Sequence, residues 1–149
     1  MISRPEKYEM PPTNTIDGSL RNIRIVHGVI LFAMVLIIYN GEVLIPHKLR
    51  DLGGILPIAY GIVSLHVIGL ALYFRTTKIR PALEILQLKL DDPKALGQWR
   101  FGAVLTAVLL ESIVLYGFAL RFLGAPAKTS WLFYSVGIVL MLFWWPQRP

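Results

Sequence analysis

Four apolar blocks, separated by charged or Pro- and Gly-bearing stretches, set the rhythm of the chain: roughly Ile23 to Pro46, Ile55 to Phe74, Phe101 to Leu123 and Trp131 to Trp145. Each approaches the length of about 20 residues that carries an α-helix through a bilayer. The pattern predicts an all-α, polytopic membrane protein, a four-transmembrane-helix bundle with spans over about 23–45, 55–75, 100–123 and 130–146. Residues 1–22 read as a polar cytoplasmic arm, with Pro11 and Pro12 ahead of a loop-like TNTIDGS, and residues 23–149 as a single membrane domain. The charged leader is too long for a signal peptide and no small-residue cleavage site follows the first block.

The connections refine this picture. Ser19 is the expected cap of the first helix, and Asn40, Gly41 and Glu42 mark its exit into the interface. The short segment LIPHKLRDLGG then predicts an antiparallel hairpin of the first two helices. Between the second and third blocks, PALEILQLKLDDP places Leu83, Ile85, Leu86 and Leu90 among charges, the pattern of a short amphipathic helix in the central cytoplasmic loop. Asp91, Asp92 and Pro93 are expected to end it. Shifting the chain by 76 positions lays Arg24, Gly41, Leu44 and Gly61 on Arg100, Gly117, Leu120 and Gly137, which suggests a duplicated helical hairpin. Two such halves, each with an even number of spans, would be related in parallel.

Small residues mark where helices are expected to approach. Gly61 and Gly69 lie eight positions apart on one face of the second helix, and Ala103 and Ala107 share an i, i+4 stripe with Glu111 on the third. These four are the expected helix-packing positions.

Composition agrees with the blocks. The chain is 55% hydrophobic and 16% charged, with a mean hydropathy of +0.59, far more apolar than an ordinary soluble domain. Its net charge of +6 sits at block ends and not on one basic face, which argues against nucleic acid as a partner. Of 15 Lys and Arg, 11 fall on the side shared by the arm, the central loop and the carboxyl tail, leaving Lys48, Arg50, Arg121 and Lys128 on the other. The excess places both termini in the cytoplasm, as in a multi-pass protein of a bacterial or organellar inner membrane. Trp99, Trp131, Trp144 and Trp145 fall at helix ends, where an aromatic belt is expected. With no cysteine, thiolate metal sites and covalent haem attachment are excluded.

The chemistry centres on Glu111. Near the middle of the third block it would lie roughly 15 Å inside the hydrocarbon, where an acid costs on the order of 2.5–3.5 kcal/mol. A partner side chain, a neighbouring protein, water or a captured proton must offset that cost. His66, on the antiparallel second helix, falls at a depth within roughly 3 Å of Glu111, so a direct or water-bridged pair is geometrically allowed. Its plainer role is a hydrogen bond to a backbone carbonyl or to a hydroxyl such as Ser64. Tyr116, with Tyr39 and Tyr60, falls toward the outer helix ends, either in an aromatic belt or in a hydroxyl chain leading from Glu111. Arg121 lies about ten residues beyond the acid, beyond the reach of a direct pair with it, and is expected to extend to the headgroups. His27 and His66 could be imagined as haem ligands, but their depths of roughly 6 and 12 Å do not suit opposite faces of one ring, so haem is not expected and no cofactor is predicted. A bound lipid is compatible with the pattern.

The segment LLESIVLYGFAL resembles the ion-binding helix of rotary ATPase proteolipids, in which a membrane carboxylate is followed five and six residues later by Tyr-Gly, as Glu111 is by Tyr116 and Gly117. The resemblance spans about a dozen residues and implies that Glu111 corresponds to a carboxylate alternately protonated and released. The chain departs from that family in having only Gly61 and Gly69 on the partner helix, a longer cytoplasmic loop and flanking helices on both sides.

No nucleophile triad, phosphate loop or metal cluster is present in the sequence, so a self-contained enzyme is not expected. Two functions remain. One is a small integral membrane subunit of a larger energy-transducing or transport complex, with Glu111, His66 and Tyr116 handling a proton or cation. The other is a structural accessory subunit that docks onto neighbouring membrane subunits, or onto copies of itself, without ion chemistry of its own.

Overall fold

The computed structural model describes residues 15–44, 54–90 and 92–146. Among them every regular element is helical: α1 (Ile16–Tyr39), α2 (Ile55–Phe74), α3 (Arg80–Leu88), α4 (Pro93–Phe122) and α5 (Ala127–Phe143). Three continuous helices, Ile16–Leu44, Ile55–Leu88 and Pro93–Phe122, are long and apolar enough to cross a membrane, whereas α5 is apolar but has only 17 residues. The expected arm before residue 15 and most of the connection between α1 and α2 lie outside the described residues.

Helix boundaries differ from expectation where local chemistry overrides hydropathy. Helix α1 starts at Ile16, capped by Thr15, whose side chain accepts the Gly18 N–H at 3.2 Å. Ser19 is therefore inside the helix and not its cap. The extension is anchored by burial, because Ile16, Leu20 and Ile23 pack on Ala82, Leu86 and Leu96 in a small second core. Asp92 likewise caps α4, accepting the N–H groups of Lys94 and Ala95 at 3.1 and 3.0 Å with Pro93 in the first turn. The Asp-Pro pair thus opens the third span at Pro93, eight positions before its apolar block begins at Phe101.

The amphipathic helix expected in the central loop is α3, and it is continuous with α2. A π-helical turn, Arg75–Ile79, joins α2 to α3 without a break, and Ala82 and Leu86 of α3 are buried in the second core. A second π-helical turn, Asn40–Leu44, extends α1 at its other end. Such i→i+5 turns rotate the following residues relative to a plain helix and so re-aim their side chains.

Helix α4 is the hub. It packs on α1, α2, α3 and α5, while α2 makes substantial contact with α4 and with its own extension only. Among the described residues α1 and α2 are therefore joined through α4 and not by substantial packing on each other, and the architecture is a set of helices around α4. By contrast α4 and α5 form a close hairpin. Its turn is a helix stop at Gly124, φ 99°, with Gly124 N–H bonded to Arg121 O at 3.0 Å and Ala125 N–H to Leu120 O at 2.9 Å.

The main core lies along this hairpin: Leu110, Ile113, Val114 and Leu120 of α4 against Tyr134 and Met141 of α5, with Met34 from α1. Close approach is made at glycines. A Cβ at Gly137 would stand 2.6 Å from Val114 Cγ2, one at Gly117 2.8 Å from the Tyr134 ring, and one at Gly102 2.7 Å from Ile79 Cγ1. On α2 only Ser64 and Ala71 are buried; Leu56, Tyr60, Val67 and Ile68 pack against the core, while other large apolar side chains, among them Ile55, Ile58 and Leu65, are exposed. Apolar exposure on that scale suits hydrocarbon or a protein neighbour better than water.

Candidate functional site

The middle of α4 carries the candidate site. Ala103 and Ala107 are buried, as the small-residue stripe requires, and Glu111, one turn further on, is half-buried. Among the described residues its carboxylate has neither a hydrogen bond nor an ion pair.

Two contacts fix how α2 runs past this point. The rings of Tyr60 and Tyr116 stack at 5.4 Å between centroids, and Ile79 meets Gly102 nearer the other end. Positions rise along α2 as they fall along α4, so the two are antiparallel, and interpolation between the contacts sets His66 level with Glu111. Equal depth does not bring them together. His66 is exposed, and its Nδ1 lies 2.8 Å from the carbonyl of Ile62, one turn back on its own helix. A carbonyl oxygen only accepts, so Nδ1 carries the hydrogen and Nε2 is left as the outward-facing nitrogen. Ser64 Oγ is buried without a hydrogen-bond partner. Tyr116 meets Tyr60 through its ring and is half-buried.

Among the described residues, the two glycines of α2 make no close helix contact. A Cβ at Gly61 or Gly69 would meet nothing within 4 Å. The tight contacts belong instead to Gly102, Gly117 and Gly137, because α2 rests on α4 through larger side chains such as Tyr60. His27 and His66 also sit apart, on helices without substantial mutual contact. His27 is buried, with Nε2 3.4 Å from Met141 O and its ring edge-on to Trp145 at 5.4 Å. Among the described residues no group of three or more His, Cys, Asp or Glu converges as a metal site would need.

A second ionic feature lies at the far end of α4 and went unread in the sequence. Arg121 is buried, not extended toward the surface, and its Nε stands 3.2 Å from both carboxylate oxygens of Glu42. Its Nη1 donates to Ala125 O at 3.1 Å. One guanidinium therefore ties the end of α1 to the α4–α5 turn. Tyr134, fully buried, brings its hydroxyl to the same place, where a Cβ on Gly41 would lie 3.0 Å from it. The only prior sign was opposite charge at the same end of two spans, which an exit reading of Glu42 hides.

The two acids thus differ in kind. Glu42 is held by a fixed cation across an interhelical contact, which makes it a structural group. Glu111 sits in the middle of the most buried helix with no cation assigned to it among the described residues. Compared with protein-family models, curated proteins and solved structures, the chain matches none.

Proposed function

We propose that the chain is an integral membrane subunit of a larger assembly, in which Glu111 takes up a proton or cation at the junction with a neighbouring subunit. Both termini lie on the cytoplasmic side, as the Lys and Arg excess directs, and α5 completes a fourth span with help from its flanking Trp residues. The observation that carries the reading is the pair of polar groups at one level of α2 and α4, Glu111 and the exposed His66, with no partner for the carboxylate among the described residues. In hydrocarbon such groups are covered by protein, by water or by a proton. The bare outer face of α2, with Gly61 and Gly69 open, supplies the surface on which a neighbour would rest.

A second reading keeps the assembly and removes the chemistry: Glu111 only hydrogen-bonds across the interface. It is favoured by the exposed glycines of α2, which suit close docking whether or not an ion moves. Gentle extraction followed by mass measurement tests what both share. The chain's own mass is 16.8 kDa; the expected particle contains further polypeptides or further copies. A single chain carrying only lipid would overturn the assembly.

A further inference from the structure

At the opposite end of α4 from Arg121 lies a cleft of about 300 Å³. It opens between the π-helical turn with α3, the first half of α4, the end of α5 and His27 of α1. One wall is cationic: Arg75 stands 5.2 Å over the ring of Trp144, and Arg80 is exposed beside it on the lining. Among the described residues neither guanidinium pairs with a carboxylate. The other walls are aromatic and apolar, formed by Trp99, Leu83, Ala103 and Phe143.

The floor holds a polar group that the protein leaves unused. Thr106 is 4% exposed, lines the cleft, and its Oγ1 has no hydrogen-bond partner among the described residues. A threonine inside a helix ordinarily satisfies its hydroxyl on the carbonyl one turn back, and a buried hydroxyl without a partner costs about 1–3 kcal/mol. Here a donor lines a cavity whose rim carries two cations that pair with no carboxylate among the described residues. Those features ask for a molecule with an anionic head, an acceptor a short way below it, and an apolar remainder.

We propose that this cleft binds the headgroup of an anionic phospholipid. The phosphate would sit against Arg75 and Arg80, an ester carbonyl would accept from Thr106, and the acyl chains would leave between Phe143 and Leu83. Charge complementarity selects this occupant, since basic pockets between helices on the cytoplasmic side suit anionic heads, and the three lining Trp residues suit the headgroup level. The inference rests on the membrane reading but not on any role of Glu111.

The test uses the full chain in nanodiscs of equal phosphatidylglycerol and phosphatidylcholine, with the lipid that stays bound on release counted by native mass spectrometry. Phosphatidylglycerol is expected to be retained preferentially. Arg75→Gln and Arg80→Gln should each lower that preference about fivefold, the effect of one basic residue near the surface, and Thr106→Val should lower total retention by a similar factor of about five. Lys128→Gln, at the other end of the molecule, should change neither. Because Arg75 also stacks on Trp144, the exposed Arg80 provides the cleaner variant. Equal retention of the two lipids, or an unchanged preference in the Arg75→Gln/Arg80→Gln double variant, overturns the proposal. So does a saturable change in Trp fluorescence when inorganic phosphate is added to lipid-free protein, because the site would then take free anions. Alkaline extraction of the cell membranes from which the chain is prepared separates the failures: a chain washed off the membrane refutes the membrane reading, and one that stays without lipid preference refutes only this site.

Discussion

Replacing Arg121 with Met is expected to lower folding stability in detergent by about 3–5 kcal/mol, the cost of leaving one member of a buried ion pair behind. Glu42 would lose its cation at 3.2 Å, and Ala125 O would lose the donor that closes the α4–α5 turn. The side chains of Arg121 and Glu42 retain only 9% and 17% of their full exposure, so solvent screening relieves little of that cost. The Arg121→Met/Glu42→Leu double variant should recover part of the loss, since an apolar pair of similar size is often as stable as the ion pair it replaces. Denaturant unfolding of the single and double variants measures the difference. If Arg121→Met unfolds like the parent chain, the pair is a surface contact and α1 is held to the hairpin by apolar packing alone.

The second large effect concerns Glu111. A hydrophobic carbodiimide is expected to label it, because the reagent reaches that depth through hydrocarbon, where the carboxyl oxygen adds to its central carbon and the carboxyl proton passes to its nitrogen. Glu111→Gln should remove the label entirely and stop coupled proton or cation movement in the host assembly while leaving the assembly together. Gln preserves size and hydrogen bonding but cannot gain or release a proton at this position. If the assembly keeps full turnover with Gln, Glu111 is interfacial glue and the second reading stands. The contrast with Glu42 sharpens the test: that carboxylate already accepts from Arg121, so it should stay unlabelled.

Much of this structure was legible in hydropathy, and what was not has definite physical causes. The apolar blocks located the long helices because a helix in oil must bury its backbone groups internally and needs a fixed number of apolar residues. Their ends were set by other forces. Ile16, Leu20 and Ile23 are too widely spaced to register as an apolar block, yet at 3.6 residues per turn they form one stripe, and burial of that stripe carries α1 back to Thr15. Asp92 and Pro93 read equally well as a stop or as a cap followed by the first helical residue; burial of Ala95 and Leu96 decides for the second.

Pairwise packing was harder to see. Sequence spacing identifies a small residue but not which helix faces it, so Gly61 and Gly69 looked like contacts while Gly117 and Gly137 make them. The same limit applies to the ionisable groups. Depth along two antiparallel helices follows from counting, and His66 does fall level with Glu111. Direction around each axis does not follow, and His66 turns to its own backbone. The pair of Glu42 and Arg121 needed two groups 79 positions apart to meet across α1 and α4, which no local pattern encodes. Likewise Arg75 and Arg80 counted only as loop charge until the π-helical turn at residues 75–79 and the end of α5 brought them beside Trp144.

The claim on which the rest depends is that a neighbouring protein in the membrane covers the level of α2 and α4 that holds His66 and Glu111. Placing a photoreactive amino acid at position 66 in native membranes and identifying what it captures on illumination tests this most directly. The expected product is a protein adduct, to a second copy or to another membrane polypeptide, formed at position 66 and absent when the probe is moved to Lys128. Lipid adducts alone at position 66, in membranes where the chain is otherwise at its normal level, would contradict it.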